Sequence, residues 1–129
     1  NVYIIGMMNT ADRSLAMLDY ALRRRFAFFD MKPAFETIQF KHYQENLKNP
    51  QFDALIDTIQ ALNVDIRDDD MLGEGFVIGH SYFSNMVDVT ESELSNIIEF
   101  EMIPLLKEYW FDDPSKVDSW KVRLREAIQ

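Results

Sequence analysis

Cysteine is absent from the 129 residues, which excludes a disulfide framework and any thiolate metal site and suits a reducing, cytoplasmic compartment. Histidine occurs only twice, at His42 and His80, too far apart for a zinc pattern, and Asp68-Asp69-Asp70 lacks the alternating spacing of a calcium loop. No metal site is expected. No apolar run reaches the roughly 18 residues of a bilayer span, and the start has no basic stretch followed by a small-residue cleavage site. A membrane span and export are therefore not expected. Glycine and proline number four each, and there is neither an internal repeat nor a low-complexity tract.

Basic residues are also in short supply, and they are unevenly placed. Residues 1–33 carry five basic and three acidic side chains, whereas residues 34–129 carry eight and nineteen. A surface so acidic repels phosphate backbones and lacks the basic stripe of a nucleic-acid reader. If DNA is handled, other parts of an assembly must grip it.

What is present organises into two stretches. The chain opens without methionine on the apolar, β-branched run Val2-Tyr3-Ile4-Ile5-Gly6-Met7-Met8, which reads as a strand buried on both faces. Such an opening suggests a piece of a longer polypeptide, with the strand's parallel neighbours elsewhere. After a polar loop, Ser14 is a suitable N-cap for a helix with Leu15, Leu18 and Leu22 on one face. That helix ends in Arg23-Arg24-Arg25, and Phe26 to Met31 reads as a second buried strand stopped by Pro33.

Beyond Pro33 the period becomes helical. Phe35, Ile38, Phe40, Tyr43 and Leu47 suit one helix, and Phe52, Leu55, Ile56, Ile59 and Leu62 suit another. Asp68-Asp69-Asp70 reads as a solvated turn, and Gly73, Gly75 and Gly79 mark an irregular connection around Phe76-Val77-Ile78, too short to assign as a strand. Thr90-Glu91-Ser92-Glu93 forms a capping box ahead of Leu94, Ile97, Ile98, Glu101 and Leu105. Asp113-Pro114 opens a last helix whose Trp120 and Leu124 face the core. The dispersed methionines Met7, Met8, Met17, Met71, Met86 and Met102 suit core packing.

Ligands of open parallel α/β sheets bind beyond the carboxyl ends of the strands, where Asn9 sits. An amide there can donate to a phosphate oxygen and accept from a water, as phosphoryl hydrolysis needs; a loop asparagine can equally satisfy its own turn. The arginine triplet has two readings as well. Cations at a helix C-terminus complement its dipole, and three successive residues fan out by about 100° each, so at most one or two can aim at one phosphate.

Met8-Asn9-Thr10-Ala11-Asp12-Arg13-Ser14, followed by Leu18-Asp19-Tyr20-Ala21-Leu22-Arg23-Arg24-Arg25-Phe26, resembles the signature of McrB-type AAA+ NTPases, the GTP-hydrolysing motors of 5-methylcytosine-specific, modification-dependent restriction systems. Gly75 to Phe83 resembles the lid segment of the same family. The resemblance implies an α/β remnant of an AAA+ P-loop NTPase core over 1–33 and a mainly α-helical lid over 34–129. It implies that Asn9 is the sensor-1 residue and that Arg24 is an arginine finger reaching the neighbouring subunit, with Arg25 beside it. Thr10, Asp12 and Arg13 fall at the nucleotide edge, where an McrC-like endonuclease subunit would act. Gly79, His80 and Ser81 are candidates to face the nucleotide from the lid, although a lone histidine more often serves structure. A usual sensor-2 arginine is missing from this stretch.

Neither G-x-x-x-x-G-K-[ST] nor an acidic strand end for Mg²⁺ occurs in the sequence. By resemblance the full-length protein binds GTP or ATP with Mg²⁺ and forms a homo-oligomeric, hexameric ring, while this chain alone should hold no nucleotide tightly and hydrolyse none. The two strands of residues 1–33 would flank an absent central strand, so that stretch lacks its partner. Two other readings stand beside this one, a remodelling ATPase of the MoxR type and a freestanding helical interaction module. An upstream P-loop would remove the second, and a neighbouring nuclease-subunit gene would separate restriction from remodelling.

Overall fold

Thr37 and Asn49 each place a side-chain oxygen over the first turn of a helix, accepting from the N–H of Phe40 at 3.3 Å and of Phe52 at 3.0 Å. They start α1, Ile38–Leu47, and α2, Pro50–Arg67, in a computed structural model that describes residues 1–8, 24–86 and 88–129. The chain divides into two units, Asn1–Met31 and Lys32–Gln129.

In the second unit, α2 is the central apolar element. Phe52, Leu55, Ile56, Ile59, Leu62, Asn63 and Ile66 are its buried residues, at the three- and four-residue steps that keep one helical face toward the core. The face is apolar except at Asn63. α1 is shorter than its apolar pattern suggests. Phe35 precedes the helix in a turn yet is buried, and Ile38 is 75% exposed because the cap at Thr37 turns it outward.

The Thr90–Glu93 capping box is formed in both directions and begins α3, Glu91–Asn96. A π-helical stretch, Ile97–Met102, follows, and then α4, Ile103–Tyr109. Pro104 explains the π turn. It has no N–H for the Phe100 carbonyl four residues back, and its ring would press on that carbonyl in an α-turn. Widening the turn relieves the clash, and the Ile103 N–H accordingly reaches the Ile98 carbonyl five residues back. The buried stripe then steps by four, through Leu94, Ile98, Met102, Leu106 and Trp110, leaving Glu101 exposed and Leu105 half-buried. Asp113 caps α5, Pro114–Glu126, whose Val117, Trp120 and Leu124 are buried where α5 packs on α2 and α4.

Neither expected strand of residues 1–33 is present: the described residues contain no strand. Val2, Tyr3, Ile5, Phe29 and Met31 are all more than four-fifths exposed. A strand buried on both faces needs a ladder on each side, and the described residues of this unit supply none. Of the methionines, Met102 is in the core and Met86 packs against it, whereas Met7, Met8 and Met71 are exposed. Ser14 and the helix expected after it lie outside the described residues. Among the described residues, no helix is long and apolar enough to cross a membrane.

Candidate functional site

Between Phe76 and Met86 the backbone makes little regular structure, so side chains from three helices satisfy it. The Tyr109 hydroxyl of α4 donates to the Phe76 carbonyl at 2.9 Å. From α2, Asn63 donates through Nδ2 to the Ile78 carbonyl at 2.9 Å and accepts the Ile78 N–H through Oδ1 at 2.6 Å. On α1, the Tyr43 hydroxyl donates to the Phe83 carbonyl at 3.1 Å and accepts from the Met86 N–H at 2.9 Å. Burial pushes the Tyr43 phenol above its ordinary range, with the Met86 backbone bond opposing, so it keeps its proton and its donor role.

The segment held this way forms one wall of a cleft of about 460 Å³. Thr37, Phe40 and Tyr43 line the α1 side, and His80, Ser84 and Asn85 line the other. Asn85 sits at φ 67°, a left-handed conformation that asparagine adopts more readily than most residues. His80 opens a single 3₁₀ turn, His80–Phe83, which the Ser84 hydroxyl tightens by donating to the His80 carbonyl at 2.9 Å.

The structure gives His80 a defined partner 46 residues away. Its Nδ1 accepts the Ala34 N–H at 3.1 Å, and its ring meets Phe35 and Phe40 edge-on with centroids 6.3 and 6.0 Å apart. An accepting Nδ1 is unprotonated, so the hydrogen of the neutral ring is on Nε2, which can only donate. The cleft is lined by His80, by the Thr37, Tyr43 and Ser84 hydroxyls, whose protons go to backbone carbonyls, and by the Gln39 and Asn85 amides.

Gly79 and Ser81 flank His80 and differ from it in character. Gly79 has φ −80°, open to any residue, and an added Cβ would meet only the Ser81 hydroxyl at 3.7 Å. Ser81 is exposed. Arg24 and Arg25 are exposed in a turn of the first unit. Asn9, Thr10, Asp12 and Arg13 lie outside the described residues.

Two residues carry more structure than their sequence context announced. Asn63 occupies an apolar stripe, and that placement was the available clue, since a polar group there is buried and must be paired. Asp69 is the other. Asp68 and Asp70 are solvated, but Asp69 accepts from Trp110 Nε1 at 2.8 Å and Lys116 Nζ at 2.9 Å. The Lys116 bond, then the Trp110 bond, hold its carboxyl down at about 2. Among the described residues, no group of three or more His, Asp or Glu side chains could hold a metal ion.

Residues 54–118, from the second turn of α2 into α5, match the family described as McrB, alpha-helical lid domain. The chain belongs to this McrB lid family. It is also 49% identical over 131 residues to the type IV methyl-directed restriction enzyme EcoKMcrB subunit of Escherichia coli strain K12. That likeness covers 96% of the chain but 28% of the relative's length. The Lys32–Gln129 unit, helical and without a strand among its described residues, agrees with the lid description; the His80 wall of the cleft lies within the matched residues and the α1 wall precedes them.

Proposed function

We propose that this chain is the C-terminal part of a GTP- or ATP-hydrolysing motor subunit, which drives DNA translocation and cleavage with an McrC-like nuclease partner. The observation that carries the reading is the extent of the likeness. It covers 96% of the chain, so it reaches beyond the lid into the stretch that holds Asn9 and the arginine triplet. The methyl-directed restriction named for that relative supports the same assignment here.

In this reading the phosphate cradle and the Mg²⁺ ligands belong to the part of the protein outside these residues, and no acidic cluster described here would take that ion. Asn9 orients the attacking water, an amide role that matters most in the transition state. Arg24 stabilises charge on a nucleotide held by the next subunit of a hexameric ring, with Arg25 at the same boundary. Thr10, Asp12 and Arg13 meet the nuclease partner at the nucleotide edge. Gly79, His80 and Ser81 face the nucleotide from the lid, where the His80 Nε2–H meets an acceptor atom. DNA is held by other parts of the assembly, consistent with the acidic lid.

A mixing experiment tests the ring and the finger together. Full-length Arg24→Ala and a P-loop variant that keeps Arg24 are each inactive alone. Combined, they create boundaries where an intact site meets an intact finger, so hydrolysis should reappear over a series of mixing ratios. Mixed rings confirmed by native mass spectrometry, with no activity above the sum of the two variants, would remove Arg24 from this role.

A further inference from the structure

We infer that Asn63 is a positioning residue for the His80 cleft: its paired hydrogen bonds to both polar groups of Ile78 set where the Gly79–Phe83 turn begins and so hold His80 against the Ala34 N–H. The inference deepens the proposed reading of the cleft and rests on it only for the effect on nucleotide.

Asn63 is 5% exposed, the one buried polar side chain among the described core residues. An apolar residue would fit the stripe on α2 without any hydrogen-bonding demand. The carboxamide instead acts as a rung of ladder, donating to the Ile78 carbonyl at 2.9 Å and accepting its N–H at 2.6 Å. Two bonds to one residue fix its rotation as well as its place, which a single bond or an apolar contact does not.

Geometry carries this constraint to the cleft. Ile78 is itself buried, and only Gly79 separates it from His80. Glycine has no side chain with which to anchor itself, so the register of His80 comes from Ile78 on one side and from the Tyr43 clamp at Phe83 and Met86 on the other. The two anchors lie on different helices, α2 and α1. Ala34, which His80 holds, is two residues past the start of the lid unit, so Asn63 ties the middle of α2 to the entry of the lid through two hydrogen-bonded steps.

Amide exchange measured by NMR on the unsubstituted chain is the first test. The Ala34 and Ile78 N–H groups should exchange through one shared opening, with the same protection and the same denaturant dependence. In Asn63→Leu both amides should lose about tenfold or more in protection beyond the loss shown by amides of α5, which follows the fall in global stability. Asn63→Ser removes the reach to Ile78 with less apolar bulk and serves if the leucine variant does not fold. An Ala34 amide that exchanges independently of Ile78 in the unsubstituted chain overturns the proposal, as does one that stays protected in a folded variant whose Ile78 amide has opened.

Kinetics on the full-length protein separates this proposal from the reading of the cleft. With both amides opened, a nucleotide-facing cleft requires KM for GTP or ATP to rise with little change in kcat, the pattern of lost ground-state binding. If the amides open and KM and kcat are both unchanged, Asn63 positions the cleft and the nucleotide reading of the cleft fails.

Discussion

Asn63 and Ile78 are joined as two strands would be, N–H to oxygen and carbonyl to N–H, although one is a side chain inside a helix and the other lies in an irregular connection. The pair explains how Phe76 to Met86 keeps one shape without a sheet.

Its energetic consequence is direct. Asn63→Leu leaves two buried backbone groups unpaired at roughly 1–3 kcal/mol each, so urea unfolding should show a loss of about 2–6 kcal/mol. Tyr109→Phe removes one half-buried hydrogen bond and should cost only about 0.5–1.5 kcal/mol. Equal losses in the two variants would contradict the special weight given to Asn63.

Asp69 predicts a difference in acid. Its folded carboxyl titrates at about 2, below the ordinary value of 3.8, because Lys116 and Trp110 bond its charged form. A lowered value means stabilisation that is complete above the unfolded value and lost as pH falls through the folded one. The Asp69 side chain is 14% exposed, and with screening discounted the contribution is on the order of 1–2 kcal/mol. Asp69→Asn should therefore be less stable than the parent at neutral pH by about that amount, with the gap closing from about pH 4 down to about pH 2. A gap that stays constant over that range would show that the charge contributes nothing.

Two glycines of the same connection should behave oppositely. Gly73 sits at φ 87° and ψ −170°, a region that residues with a Cβ avoid, so Gly73→Ala should lower stability by about 1–3 kcal/mol. Gly79 is in ordinary extended backbone, where an added Cβ would make only an ordinary van der Waals contact with the Ser81 hydroxyl at 3.7 Å, and Gly79→Ala should be nearly neutral. Thermal unfolding of the two variants side by side decides this.

The helices were legible because their cause is local. The stripe of α2, the Thr90–Glu93 box and the Asp113-Pro114 start are written within a few residues of where they act. The π stretch was not, since the stripe from Leu94 to Leu105 runs at ordinary helical spacing across Pro104, and the wider turn arises only where that proline meets the turn before it. The strands at 2–8 and 26–31 failed for a related reason: a ladder is made by another segment, and apolar runs alone do not supply it. His80 stood out as a candidate, but its partner Ala34 lies 46 residues away and its ring sits against Phe35 and Phe40, relationships that only the fold creates. Asn63 was overlooked because an asparagine within a helix looks like a surface residue unless its place in the apolar stripe is weighed.

The chain by itself should be silent toward nucleotide. Without a P-loop in the sequence, calorimetric titration with GTP and with ATP should give no tight binding. Submicromolar affinity for either would mean that the cleft holds a nucleotide unaided.

The most direct measurement is turnover of GTP and ATP by the full-length protein, with and without its nuclease partner, for the parent and for Asn9→Ala. A motor that uses Asn9 to orient water should hydrolyse one of the two, respond to the partner, and in the variant bind nucleotide with largely unchanged affinity while kcat falls by about 10²-fold or more, as when a group acting in the transition state is removed. A parent ring that binds but hydrolyses neither nucleotide, or an Asn9→Ala variant with undiminished kcat, would contradict the account.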